Sequence, residues 1–281
     1  MTIQDKTIVV TGAGNGVGRE LTLQLLAHGA KVACVDINAL GLAETLQIAE
    51  AYKERVSVFQ ADITDSGAIG EIAGKIIEQF GAVDALINNA GIIHSFLHVE
   101  DMNAAAIERV MRVNFFGTLN MIKAFLPYLQ MQPSSYIVNL SSAGALAPMP
   151  GETAYGASKA AVRLLTEGLR YELRDSGVRV MAVFPGGINT NIIQNSDVRV
   201  ASSIDQLRAR LAFLLLSPQK VAKRVIRGMK RNQTRLVLGI DAVIMDVFCR
   251  ISPTFAPRFL YRVSDTILAP HVKAGEPAAE K

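Results

Sequence analysis

The chain has 281 residues, 50% of them hydrophobic and 19% charged, with a formal net charge of +4 at pH 7. That is enough apolar material for a sizeable core, which excludes a disordered segment, and the positive excess is too slight for a nucleic-acid partner. No apolar run reaches the roughly 18–20 residues that a bilayer-spanning helix needs.

The opening stretch MTIQDKTIVV runs straight into a strand pattern, without the basic and apolar regions of a signal peptide. KTIVVTGA, KVACVDI, RVSVFQADI, VDALINNAG, SYIVNLSS, RVMAVFPGG and RLVLG then recur as short, β-branched, almost continuously apolar runs. Strands with that character are buried on both faces. Between them lie longer stretches with helical spacing. VGRELTLQLLAHG has Gly29 as its stop, and DSGAIGEIAGKIIEQFG opens on Asp65 or Ser66 as N-cap and closes on Gly81. Alternating strands and helices predict an α/β fold: a Rossmann-like, doubly wound parallel sheet of about seven strands with helices on both faces. A helical C-terminal extension follows. The expected division is one sheet-based domain over 1–239, with a long loop at about 189–217, and an extension with a flexible tail over 240–281. Cys34 and Cys249 form no metal or redox motif, and no metal site is expected. Two thiols in apolar surroundings fit a reducing cytoplasm.

The first strand is followed by TGAGNGVGRE, with glycines at 12, 14, 16 and 18. Such a loop lets the backbone approach a pyrophosphate, and the helix N-terminus beyond it stabilises the negative charge. No Gly-Lys-Ser/Thr follows, so the loop is not a P-loop. Asp36 ends the second strand about 20 residues further on, where a carboxylate accepts from ribose hydroxyls and repels a 2′-phosphate. Its successors are Ile37 and Asn38, with no basic residue, which points to NAD rather than NADP.

Tyr155 and Lys159 stand four apart in AYGASKAAV and therefore share a helix face. A free phenol has a pKa of about 10, and a neighbouring ammonium is expected to lower it toward the working range of an acid/base group.

Taken in order, TGAGNGVG, NNAG (88–91), VNFFG (113–117), NLSS (139–142), YGASK (155–159) and PGGINT (185–190) resemble the short-chain dehydrogenase/reductase family over about residues 5–190. The resemblance implies hydride transfer between a nicotinamide cofactor, NAD, and a carbon bearing oxygen. It makes Tyr155 the proton carrier and Lys159 the group that tunes it and holds the nicotinamide ribose. Ser142 becomes the donor to the substrate oxygen, with Ser141 an ordinary strand-end hydroxyl, and Asn114 the support of a water-linked proton relay. Around the cofactor it places Gly12, Asn15, Gly16, Val17 and Gly18 in the loop and Asp36 at the ribose. Asp62 and Ile63 fall at the adenine edge, and Asn88, Ala90 and Gly91 along the adenosine ribose. Pro185, Gly186, Ile188 and Thr190 fall at the carboxamide and pyrophosphate. For Asn88 a tie between two strands is the competing reading. A carrier-linked 3-oxoacyl reductase and a non-catalytic dinucleotide-binding protein are the rival functions. Asp36 argues against the first, and an intact Ser142, Tyr155 and Lys159 against the second.

The expected substrate loops, GIIHSF, AGALAPMPGE, GGINTNIIQN and DQLRARLAFLLL, are mostly apolar, which suits a hydrophobic alcohol or ketone. His94 and Glu152 are expected at the rim. A homodimer or homotetramer is expected on the resemblance, through the apolar faces of 102–129 and 158–173. In the C-terminal part, Lys220, Lys223, Arg224, Arg227 and Arg231 share one helix face, opposite Val221, Ala222, Val225 and Met229. Two apolar stripes follow: Ile240, Val243, Ile244, Val247, Phe248 and Ile251, then Phe255, Phe259, Val263 and Ile267, with Arg258 and Arg262 beside the second. They suit a peripheral membrane contact, a partner subunit or the enzyme's own flank.

Overall fold

The computed structural model describes residues 1–188, 215–259 and 262. Seven strands form one sheet: β1 (Thr7–Thr11), β2 (Lys31–Asp36), β3 (Val56–Gln60), β4 (Ala85–Asn88), β5 (Ser135–Leu140), β6 (Val178–Pro185) and β7 (Arg235–Leu238). All pairings are parallel and the spatial order is β3-β2-β1-β4-β5-β6-β7. The order reverses between β1 and β4, so a crevice opens at the carboxyl ends of those two strands. The near-continuous apolar runs are explained by burial on both sides. Ile8 and Val10 of β1 join one core cluster and Val9 the other; Val32 and Cys34 oppose Ala33 and Val35 in the same way on β2.

The helices are α1 (Gly16–Ala27), α2 (Ala39–Ile48), α3 (Ser66–Phe80), α4 (Ala104–Met111), α5 (Thr118–Gln130), α6 (Thr153–Glu172), α7 (Pro218–Lys230) and α8 (Ile240–Ile251). Of the two cap candidates at α3, Asp65 is the one used: its carboxylate accepts from Gly67 N and Ala68 N, and Gly81 closes the helix in the left-handed region. A π-helical segment, Arg112–Gly117, joins α4 to α5 without a break in helical dihedrals and carries Asn114.

The basic helix α7 turns Val221, Ala222, Val225 and Met229 inward and packs against α1, leaving its lysines and arginines exposed. Its apolar side is therefore covered by the chain itself. The stripe on α8 is not: Ile240, Val243, Ile244, Val247 and Ile251 are exposed, as are Phe255 and Phe259, which both pack on Phe248. α8 itself lies against β7 and the turn at Ala143–Ala145. Val263 and Ile267 lie outside the described residues, as does most of the expected substrate loop.

Candidate active site

A cavity of about 610 Å³ fills the crevice and draws its wall from the carboxyl ends of six strands. At one end the β1–α1 junction supplies Gly12, Asn15, Gly16 and Val17. Gly12 has φ +68, and a Cβ there would stand 2.7 Å from Asn89 Nδ2, so the loop tolerates no side chain at this position. Asn15 makes no side-chain cap bond and the first turn of α1 carries no acidic residue, so the N–H groups of that turn are left for an anion. Gly18 lies beneath the loop and not in the cavity wall. A Cβ there would be 1.9 Å from Gly12 O, so its role is close packing of helix on strand.

Asp36 closes β2 at the cavity wall, its Oδ2 accepting from Gly14 N at 2.8 Å and its Oδ1 from Asn38 N at 2.9 Å. These bonds fix the carboxylate while leaving lone pairs for further donors. Arg19, the basic group nearest this loop, is committed elsewhere: it bonds Gly14 O, Thr45 Oγ1 and Glu44 Oε2. Asp62 and Ile63, beyond β3, and Ala90 and Gly91, beyond β4, also line the wall. Asn88 does not. It is buried, and its Nδ2 donates to Asn139 Oδ1 at 2.8 Å, tying β4 to β5; the next residue, Asn89, takes the place in the wall.

The other end of the cavity holds the acid/base candidates. Tyr155 and Lys159 both face it from α6, with Lys159 Nζ 5.9 Å from the centre of the Tyr155 ring. Lys159 Nζ donates to Leu140 O at 3.1 Å. A Cβ on Gly91 would lie 3.0 Å from that Nζ, so glycine is what lets the lysine reach the cavity. The Ser142 hydroxyl accepts from Gly144 N at 3.2 Å, and its nearness to the Tyr155 side chain favours the phenolate. Of the two serines it is Ser141, not Ser142, that stands in the cavity wall; its buried hydroxyl donates to Lys159 O at 2.7 Å.

Asn114 is fully buried behind this wall. Its amide exchanges two hydrogen bonds with the Ile92 backbone, each 2.9 Å, and donates to Ser158 Oγ at 2.9 Å; Ser158 in turn donates to Tyr155 O at 2.7 Å. Asn114 thus couples the loop after β4 to α6. Pro185 and Ile188 line the cavity after β6, while Gly186 lies behind them against the Asp241 carboxylate, which accepts from Gly187 N at 2.8 Å. Thr190 is outside the described residues.

The electrostatics differ from the expectation that Lys159 lowers the Tyr155 pKa. Burial dominates both groups. It pushes the phenol up to about 12, against the Ser142 hydroxyl nearby, with the Glu152 carboxylate adding to the rise. It lowers the Lys159 ammonium to about 8. Burial thus keeps Tyr155 a phenol at neutral pH, which is the acid form.

His94 and Glu152 are not at the rim in the expected way. His94 is 5% exposed and bonded to the backbone of Tyr155, and Glu152 is the half-buried residue from which α6 starts. Arg109 and Arg112 also line the cavity and were not expected there. On an amphipathic helix, arginines three apart read as a solvated face.

Residues 6–200 match the model of the short chain dehydrogenase family. A Mycobacterium tuberculosis protein named "Putative oxidoreductase SadH" is 38% identical over 258 residues, covering 89% of this chain and 92% of that protein. A short-chain dehydrogenase/reductase from Burkholderia phymatum, solved with NAD, superposes with a TM-score of 0.78 at 23% identity, covering 100% of both chains. A Burkholderia cenocepacia short-chain dehydrogenase, solved with NADP, gives 0.76 at 27% identity over 94% of this chain and 98% of that one. With the parallel sheet order and the glycine loop in place, the chain belongs to the short-chain dehydrogenase/reductase family of oxidoreductases.

Proposed function

We propose that the protein interconverts an alcohol with a ketone or aldehyde, on a hydrophobic substrate, using NAD(H), with Tyr155 as the acid/base. The observation that carries this reading is the convergence of Tyr155 and Lys159 on the cavity whose far end is closed by Asp36. The residues present fit a dinucleotide. Gly12, Gly16 and the open first turn of α1 would hold the pyrophosphate, Asp36 the adenosine ribose hydroxyls, and Lys159 the nicotinamide ribose. The cofactor supplies the hydride, or accepts it. In reduction Tyr155 donates its phenolic proton to the carbonyl oxygen, and burial keeps that proton in place at neutral pH. In oxidation Tyr155 accepts the hydroxyl proton, which requires positive charge nearby, and the Lys159 ammonium is the chain's own source of it. Ser142 donates to the substrate oxygen as negative charge develops there. Asn114, through Ile92 and Ser158, holds the loop and the helix at the spacing these steps need.

Asp36 supports NAD over NADP, since a 2′-phosphate would meet its carboxylate while Arg19 is already occupied. The apolar wall offered by Ile92, Val113, Leu140 and Ile188 supports a hydrophobic substrate. Exposed Phe116 on the π-helical segment before α5, with Leu164 and Tyr171 on α6, supports a homo-oligomer, and the exposed α8 face with Arg250, Arg258 and Arg262 around it supports an anionic membrane surface as its partner. The catalytic reading is tested by screening hydrophobic alcohols and ketones, following NADH absorbance. Turnover of at least one pair is expected; turnover of sugar phosphates alone would overturn the substrate class.

A further inference from the structure

Helix α6 presents Tyr155 from its first turn, where backbone N–H groups have no partner inside the helix. The residue that normally supplies one is the N-cap, through a side-chain oxygen that accepts from the second or third N–H. Here the N-cap is Glu152, and it makes no side-chain cap bond. Tyr155 is the third residue of the helix, and its N–H is accepted by His94 Nε2 at 3.0 Å, from a residue 61 positions earlier in the chain. The other ring nitrogen, Nδ1, lies 2.6 Å from Ser95 O.

These two contacts determine the tautomer. A carbonyl oxygen only accepts, so Nδ1 carries the proton. An amide N–H only donates, so Nε2 presents its lone pair. The ring is buried, and Ile92, two residues earlier, is held on both backbone groups by the Asn114 amide. The Tyr155 backbone is therefore gripped from two sides: its N–H by His94, and its C=O by Ser158, which itself receives a bond from Asn114.

We propose that His94, as the neutral Nδ1–H tautomer, is the remote cap of α6 and a positioning residue for Tyr155. It touches no reacting atom. It fixes where the first turn of the helix begins, and so where the phenolic oxygen stands relative to Ser142 and Lys159. The catalytic part of this inference rests on the assignment of Tyr155 as acid/base; the capping part does not.

The test uses the full chain and the variants His94→Phe, which keeps a ring but has no acceptor, and His94→Gln, whose amide oxygen reaches about as far as Nε2. Hydrogen–deuterium exchange resolved to the Tyr155 amide is the first readout. Protection is expected in the wild type and in His94→Gln and lost in His94→Phe. A wild-type Tyr155 amide that exchanges freely would overturn the cap, even if His94→Phe fails to fold. The second readout is NADH-dependent reduction of acetophenone. His94→Phe should lower kcat by about tenfold or more, as small misplacements of a reacting group do, with KM for NADH unchanged and His94→Gln restoring most of the rate. Lost protection with an unchanged kcat would leave His94 a structural cap only and overturn the positioning role. If the wild type does not turn over acetophenone, the rates are read on a ketone that the substrate screen finds, and the exchange measurement decides the cap independently.

Discussion

Asp36 and Lys159 are the two residues where charge decides most. The Asp36 carboxylate is held by two backbone N–H groups at the end of β2, so it cannot swing away from a 2′-phosphate, and like charges so placed cost several kcal/mol. Wild type is therefore expected to prefer NADH in kcat/KM. Asp36→Ala should narrow that preference by about tenfold or more, each factor of ten being about 1.4 kcal/mol. Equal use of NADPH by the wild type would contradict the assignment. Lys159 is depressed to about 8 by burial, against about 10.4 in an unfolded chain, which amounts to about 3 kcal/mol of instability at neutral pH. The sign is fixed by proton counting. Between these two values the unfolded chain binds the proton and the folded one does not, so stability rises with pH there. Lys159→Met should then melt at a higher temperature than wild type at pH 7, and the gap should close as the pH rises from about 8 toward 10. Thermal melts followed by circular dichroism check this, and a variant less stable than wild type at pH 7 would contradict it. The positions of these residues were legible in the sequence, because strand-end Asp and the i, i+4 pair have spacing signatures. Their electrostatics were not. A neighbouring ammonium can be read from spacing, but the desolvation that outweighs it depends on how the third dimension closes.

Helix faces show the same division. The strands and helices followed from apolar periodicity, and Asp65 and Gly81 ended α3 where cap chemistry placed them. His94 was misread because a lone histidine in an apolar loop carries no local signal of the helix that it caps 61 residues on. The Asn88/Asn89 exchange has a similar cause: adjacent residues at a strand end point to opposite sides, and only the pleat decides which one meets the cavity. Phe116 on the π-helical segment and Leu164 and Tyr171 on α6 remain exposed on this single chain. Pairing across a two-fold axis would cover them. Sedimentation velocity at micromolar concentration should give a dimer or tetramer, and Leu164→Glu should shift the mass toward monomer. A monomeric wild type would reject the pairing.

At the scale of the whole molecule, one sheet places everything chemical at its carboxyl edge, and α8 lies beside that edge against the turn that follows Ser142. No helix among the described residues is long and apolar enough to cross a membrane. The exposed α8 face is the one proposed to meet an anionic membrane surface, in an interface where basic residues contribute about 1 kcal/mol each toward anionic lipid. The full chain should float with phosphatidylserine-containing vesicles at low salt, and Ile244→Asp with Val247→Asp should abolish it. Protein that stays in the soluble fraction would contradict a membrane role, and a change in oligomer mass in that variant would assign the face to a second copy. The sequence showed this stripe but not what covers it, because periodicity marks a buried face without naming the surface that buries it.

Tyr155 is proposed to move the proton while other residues hold the cofactor. The most direct measurement pairs NADH binding, by fluorescence titration, with turnover of an accepted ketone, in wild type and Tyr155→Phe. NADH affinity within about twofold of wild type is expected, since the phenol adds no contact on which cofactor binding depends. The same variant should show a kcat reduced by at least about 100-fold, the lower end of what a positioned acid/base contributes. A Tyr155→Phe enzyme that keeps most of its turnover would contradict that role for Tyr155.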